Sequence, residues 1–164
     1  MMRHLDNPET LSTLSEYLFG DVQPNAIDVR MDRVYSISDH AFILDEDKKV
    51  HREITELTTD VNGYYVLDIG VYSVTMAGRI SIDENEAGWI ITRSTLNRNG
   101  CHLTTGLYDS GYEGPMVATL HVTCGPAKIK KNARVGQFLI FDAESVGKYD
   151  GDYAKNKVHS KRYE

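Results

Sequence analysis

Two periods of apolar residues run along this chain. Leu11, Leu14 and Leu18, with Phe19 beside them, follow the spacing of one helical face. Asn7 suits an N-cap, Pro8 suits a first helical turn and Gly20 is a stop signal. The pattern therefore predicts one amphipathic helix over residues 8–19. From Ile27 onward the texture changes to short β-type runs: VYSIS (34–38), AFIL (41–44), YYVLDI (64–69), VYSVTM (71–76), RISI (79–82), WIIT (89–92), MVATLHV (116–122) and QFLIFDA (137–143). Turn pairs such as Asn62-Gly63, Asn99-Gly100, Ser110-Gly111 and Gly125-Pro126 separate them. Many short strands at such spacing predict an all-β domain of sandwich or jelly-roll type.

Residues 45–60 form the most charged stretch and read as a solvated hairpin or excursion. From Gly147 the chain is polar, tyrosine-rich and net basic, the composition of a mobile arm. One domain over residues 1–146 with an arm over 147–164 is the economical description, and no internal repeat is visible.

Composition narrows the function. A chain of 164 residues is long enough to build one core unaided. Its formal net charge of −6, from 18 Lys+Arg against 24 Asp+Glu, argues against a nucleic-acid binder. An enzyme acting on free nucleotides stays open, because a few local cations and a Mg²⁺ ion hold a polyphosphate. No apolar run is long enough for a membrane span, and MMRHLDNPETL lacks a signal-peptide pattern; the cytoplasm is the expected compartment. Cys101 and Cys124 form no CxxC pair and read as buried, inert thiols. Cys101-His102 and His121-x-x-Cys124 imitate half a zinc centre, but strand alternation sends adjacent side chains to opposite faces, so no zinc is expected.

Three segments combine turn geometry with polar groups that packing does not require. In Thr92–Gly100 the apolar strand Trp89-Ile90-Ile91 leads into Ser94, a possible start for a short helix, with Arg93 and Arg98 as phosphate partners. In Gly106–Gly114, GLYDSGYEG, three glycines bracket an acid and two tyrosines in a turn that a ligand can approach closely. Alone, Asp109 there reads as a turn-former; with a ligand it is a water-positioning base. In Arg134-Val135-Gly136-Gln137, an Arg and a Gln enter the strand 138–141.

Order and spacing lift these segments above their separate readings. TRSTLNRNG, GLYDSGYEG and ARVGQFLIF resemble the second, third and fourth motifs of the dUTPase/dCTP deaminase superfamily, and QPNAIDVR (23–30) resembles its first. The resemblance covers about residues 23–153 and is strongest over 89–141. It implies a jelly-roll-like, distorted β-barrel with one N-terminal helix and a short helix after the second motif.

The resemblance also implies roles. Asp109 orients the water that attacks the α-phosphorus of deoxyuridine triphosphate. Tyr112 packs under the deoxyribose. The hairpin Leu103, Thr104, Thr105, Gly106 and Leu107 reads the pyrimidine edge through its backbone. Arg93, Ser94, Thr95, Arg98 and Gln137 hold the triphosphate. Asp28 lies near the metal, a Mg²⁺ carried mainly by the phosphates, while Tyr149 and Tyr153 stand in for a glycine-rich fifth motif that the chain lacks. A homotrimer with sites between subunits is implied, and no nucleic-acid or membrane partner.

Both reactions of the superfamily are possible relatives of this one. The tail Tyr149–Tyr153 and Arg98 look deaminase-like. A deaminase, however, needs a carboxylate on the strand after the third motif, and Thr119 stands there. The expected reaction is thus hydrolysis of dUTP to dUMP and pyrophosphate. The alternatives are dCTP deamination, alone or combined with hydrolysis, and a non-catalytic nucleotide-binding regulator.

Overall fold

The computed structural model describes residues 1–151 and Tyr153. Asp152 and residues 154–164, the greater part of the expected arm, lie outside the described residues.

In chain order the strands are β1 (Met2–Arg3), β2 (Thr13–Leu14), β3 (Val22–Gln23), β4 (Ala26–Ile37), β5 (Ile43–Leu44), β6 (Lys49–Val50) and β7 (Ile54–Glu56). They continue as β8 (Tyr64–Leu67), β9 (Gly70–Ser81), β10 (Glu86–Thr92), β11 (Cys101–Thr104), β12 (Glu113–Val122), β13 (Ala127–Lys130) and β14 (Arg134–Asp142), with a short helix α1 (Ser94–Asn97) after β10. The all-β expectation and the short helix after the second motif both hold.

One antiparallel sheet dominates, in the order β1-β14-β4-β9-β12-β11, with β10 added on β14 and β7 on β4. Strand β4 turns the corner. Its first half, Ile27–Arg30, pairs with β14, and its second half, Met31–Ser36, pairs with β9. Register shifts at Arg134/Gly136 and Met31/Arg33 bend it between the two halves, as bulges do in curled sheets. The runs 71–76 and 79–82 are one strand, β9, carried through Ala77-Gly78. The charged stretch forms the exposed β5–β6 hairpin and then β7 on the rim.

Alternation places the core. Along β12, Met116, Ala118, Leu120 and Val122 are buried while Val117, Thr119 and His121 face outward. Ile27, Val34, Val74, Ile80, Ile90, Phe138 and Ile140 complete the interior, each large apolar side chain contributing about 1.5–3 kcal/mol by burial. Cys101 is buried, but Cys124 is exposed, a correction to its expected burial. His102 faces away from Cys101, as alternation requires, and stacks on His121 with ring centroids 4.9 Å apart.

The helix expected over residues 8–19 does not form. Asn7 accepts from Glu9 N at 2.9 Å through its side chain and from Thr10 N through its carbonyl, a turn that does not propagate. Ser12 is buried and gives both its N–H (2.8 Å) and its hydroxyl (2.5 Å) to the buried carboxylate of Glu86. Leu14 enters the core as β2 beside β9, whereas Leu11, Leu18 and Phe19 are exposed. Three of four apolar positions gain nothing from burial, and pairing with a distant carboxylate outweighs helical propensity. Only a 3₁₀ turn, Phe19–Asp21, remains of the helical stretch.

Candidate functional site

The phosphate-type residues gather around a buried acid. Asp28, on β4, is fully buried with Arg93 Nε and Arg134 Nη1 each 3.3 Å from Oδ2, and Gln137 Nε2 donates to Oδ1 at 3.2 Å. The register of the sheet sets this up, because Gln137 lies opposite Asp28 across β14–β4 and Ile91 lies opposite Gln137 across β10–β14. Arg93 then leaves β10 with its N–H on Val135 O and its guanidinium on Arg134 O. A second buried acid, Asp21, binds Arg30 through both oxygens at 2.8 and 2.6 Å. Burial alone would raise the Asp21 carboxyl; Arg30 and the Leu18 N–H hold it below its ordinary range.

Asp28 is the residue expected near a metal carried mainly by the phosphates; in the structure its two oxygens contact two arginines and a glutamine, which anchors Arg93 and Gln137. Among the described residues no group of three or more His, Cys, Asp or Glu side chains is arranged to hold a metal ion. Ser94, Thr95 and Arg98 stand exposed on α1 and at its end.

Asp109 lies apart from that cluster. The turn that carries it is bolted to the sheet at both sides: Gly111 N donates to Ile82 O at 3.1 Å, Ile82 N to Tyr112 O at 2.8 Å, and Ser110 Oγ to Glu86 O at 2.8 Å. Gly111 has φ near +79°, which only glycine adopts without strain. Asp109 is left exposed at a cleft of about 460 Å³ that Leu107, Lys148 and Tyr149 also line.

The start of the tail forms one wall of that cleft. Tyr149 N donates to Ser110 O at 2.8 Å, and its ring meets the Tyr112 ring edge-on at 5.4 Å. Tyr112 is buried, and its hydroxyl donates to Pro115 O at 2.7 Å. Burial first, and the neighbouring Tyr149 second, push its hydroxyl up to about 12. Tyr153 is exposed, its N–H on the Tyr149 hydroxyl at 3.3 Å. Lys148, absent from the expected set, lines the cleft and pairs with Glu84; its place directly before Tyr149 is the signal that would have found it.

The hairpin residues divide. Thr104, Thr105 and Gly106 border a second pocket of about 240 Å³ with Thr119. Leu103 is held within the fold, its N–H donating to the Thr92 hydroxyl at 2.8 Å and its C=O accepting from it at 3.2 Å.

Comparison with known proteins decides the family. A dCTP deaminase-like family profile matches residues 5–143. The chain belongs to the dCTP deaminase-like family. Among relatives of this family, a probable deoxyuridine 5′-triphosphate nucleotidohydrolase of Methanopyrus kandleri is 32% identical over 153 residues, which cover 87% of this chain and 99% of that protein. The deoxyuridine 5′-triphosphate nucleotidohydrolase of Methanocaldococcus jannaschii is 33% identical, over 80% of this chain and 86% of its own length. In fold, the chain is similar to a 2′-deoxycytidine 5′-triphosphate deaminase from Agrobacterium tumefaciens, with TM-score 0.60 and 16% identity over 79% of this chain and 43% of that one. No helix among the described residues is long and apolar enough to cross a membrane.

Proposed function

We propose that the chain is a dUTP diphosphatase, hydrolysing dUTP to dUMP and pyrophosphate. The observation that carries this reading is the division of labour between two pockets. A carboxylate, Asp109, stands exposed at the larger cleft, while the smaller pocket beside the hairpin is lined by hydroxyls, including Thr119, and by no acid. Attack by water at phosphorus needs a base where the water sits; deamination by this family needs a carboxylate at the base ring, and no Asp or Glu lines that pocket. The relatives named as deoxyuridine triphosphate nucleotidohydrolases support the same choice.

In this mechanism Asp109 accepts a hydrogen bond from a water and takes its proton as the oxygen attacks the α-phosphorus in line. The P–O bond to the β-phosphate breaks and pyrophosphate leaves. Arg93 and Gln137, held by Asp28, and the exposed Ser94, Thr95 and Arg98 bind the phosphates and stabilise the charge on the leaving group. Tyr112 lies behind the cleft and Tyr149 at its wall, where a sugar ring would stack. A Mg²⁺ ion bound with the triphosphate would supply neutralisation of phosphate charge beside Arg93, Arg98 and Gln137.

Each site is shared between copies of the chain. Tyr108, next to Asp109, bridges Gly88, whereas Arg93 follows Thr92, four positions on along β10. At about 3.3 Å per residue that separates the two halves by roughly 13 Å, too far for one copy to bring both to the same phosphate. The outward face of β10 and β14 carries Trp89 (48% exposed) and Ile91 (37%) beside Leu139 and Phe141. Such an apolar face is suited to a partner, and a homotrimer places one copy's Arg93 cluster against the next copy's Asp109.

The test is to incubate the protein with Mg²⁺ and dUTP and resolve the products. dUMP with pyrophosphate is the expected result. Absence of turnover, with binding retained, would replace the enzyme by a nucleotide-binding regulator.

A further inference from the structure

The small pocket exists because the sheet opens. Strands β11 and β12 pair only as far as Thr104 opposite Thr119. At Val117, the next outward position, the Tyr108 hydroxyl takes the place of a partner strand, accepting from Val117 N at 3.1 Å and donating to Val117 O at 3.2 Å. The chain between them peels away, and Thr105, Gly106 and Leu107 make no backbone–backbone hydrogen bond among the described residues.

Three hydroxyl side chains cross the floor of this gap in one row. Thr104 lies opposite Thr119, and Thr119 lies opposite Ser73 on β9. Behind the row, on the same face, His121 Nε2 is 3.1 Å from Thr104 Oγ1, and the ring of His121 is held by its stack on His102.

We propose that Thr104, poised by His121, meets the substituent at C4 of the pyrimidine and accepts a 4-oxo or a 4-amino group alike. The substrate class is then both dUTP and dCTP, each hydrolysed at the α-phosphate. This proposal rests on the diphosphatase reading above and deepens it.

The argument is one of donors and acceptors. A threonine hydroxyl carries one donor hydrogen and two lone pairs, and a neutral imidazole carries its hydrogen on either nitrogen. With hydrogen on Nε2, His121 donates to Thr104, whose own hydrogen is then free for the O4 of uracil. With Nε2 bare, Thr104 donates to His121 and offers its lone pairs to the amino group of cytosine. A backbone N–H cannot reverse itself in this way. Because no acid lines the pocket, the amino group is retained: water adds to the α-phosphorus of dCTP, the bond to the β-phosphate breaks, and dCMP and pyrophosphate result.

The experiment measures pyrophosphate release from dUTP and from dCTP by the wild-type chain, Thr104→Val and Thr104→Ser. The two nucleotides are expected to differ by no more than about tenfold in kcat/KM, since one neutral hydrogen bond replaces another. Thr104→Val should lower kcat/KM for both by about threefold to tenfold, and Thr104→Ser should restore most of it. Turnover of dUTP alone overturns the proposal and leaves the diphosphatase intact. So does a Thr104→Val variant equal to wild type on both nucleotides, or dUTP appearing from dCTP. Failure to turn over either nucleotide overturns the diphosphatase reading itself.

Discussion

Asp28 Oδ2 stands 3.3 Å from Nε of Arg93, and this pair joins a fully buried strand residue to a half-buried cation beyond the end of β10. Arg134 and Gln137 close around the same carboxylate. Three side chains suited to phosphate are thereby fixed by one acid that solvent does not reach.

Asp28→Ala should therefore cost both stability and affinity. Stranding partners of a buried ion pair costs about 3–5 kcal/mol. Arg93 and Arg134 side chains retain 28% and 36% exposure and can rehydrate, which places the loss toward the lower figure, about 3 kcal/mol. Urea denaturation measures the first effect. In kinetics, KM for dUTP should rise about tenfold and kcat should fall as well, because the loosened groups bind phosphate in the ground state and stabilise leaving-group charge in the transition state.

Gly111→Ala tests the coupling of the Asp109 turn to the tail. A left-handed conformation costs a non-glycine residue roughly 1–2 kcal/mol. The new Cβ would also lie 3.2 Å from Lys148 Cβ, pressing on the segment that walls the cleft. Lower melting temperature and lower kcat/KM together are the expected outcome. Gly20→Ala, with nothing within 4 Å of the added carbon, should show neither.

Alkaline pH should unfold the chain through its buried tyrosines. Burial raises the Tyr108 hydroxyl, and raises Tyr112 to about 12 from an ordinary 10. With the folded value above the unfolded one, the folded state holds its protons longer, so this stability is complete below pH about 10 and is lost as pH climbs toward 12. Melting curves between pH 9 and 12 should show the loss, on the scale of the tyrosine reference value. Tyr112→Phe should flatten it, and an unchanged slope would remove Tyr112 as its source.

Much of this architecture was legible in the chain because period-two runs bury one face. Strands β10, β12 and β14 carry that pattern over about seven residues or more, whereas β4, bent where it changes partner, does not. Strands β2 and β3 are two residues each and carry no period at all. The false helix at 8–19 had correct local signals; Glu86, 74 positions away from Ser12, decided the matter, and no local pattern records such a partner. At the site, the structure gathers Arg93 and Gln137 on one carboxylate and leaves Asp109 at a separate cleft, a division that the order of the segments along the chain does not record. The anchoring role of Asp28 was not legible either, since an acid that binds a metal and one that binds arginines look alike until the register places Gln137 opposite it.

The central claim is that Asp109 activates the attacking water. Asp109→Asn keeps the shape of the turn, its bonds to Ile82 and the wall formed by Tyr149, and removes only the base. The decisive measurement is dUMP formation and dUTP binding by this variant side by side. Loss of turnover by about 10²–10⁴-fold with dissociation constants close to wild type is the expected result. Hydrolysis near the wild-type rate, or affinity lost to the same extent as activity, would contradict it.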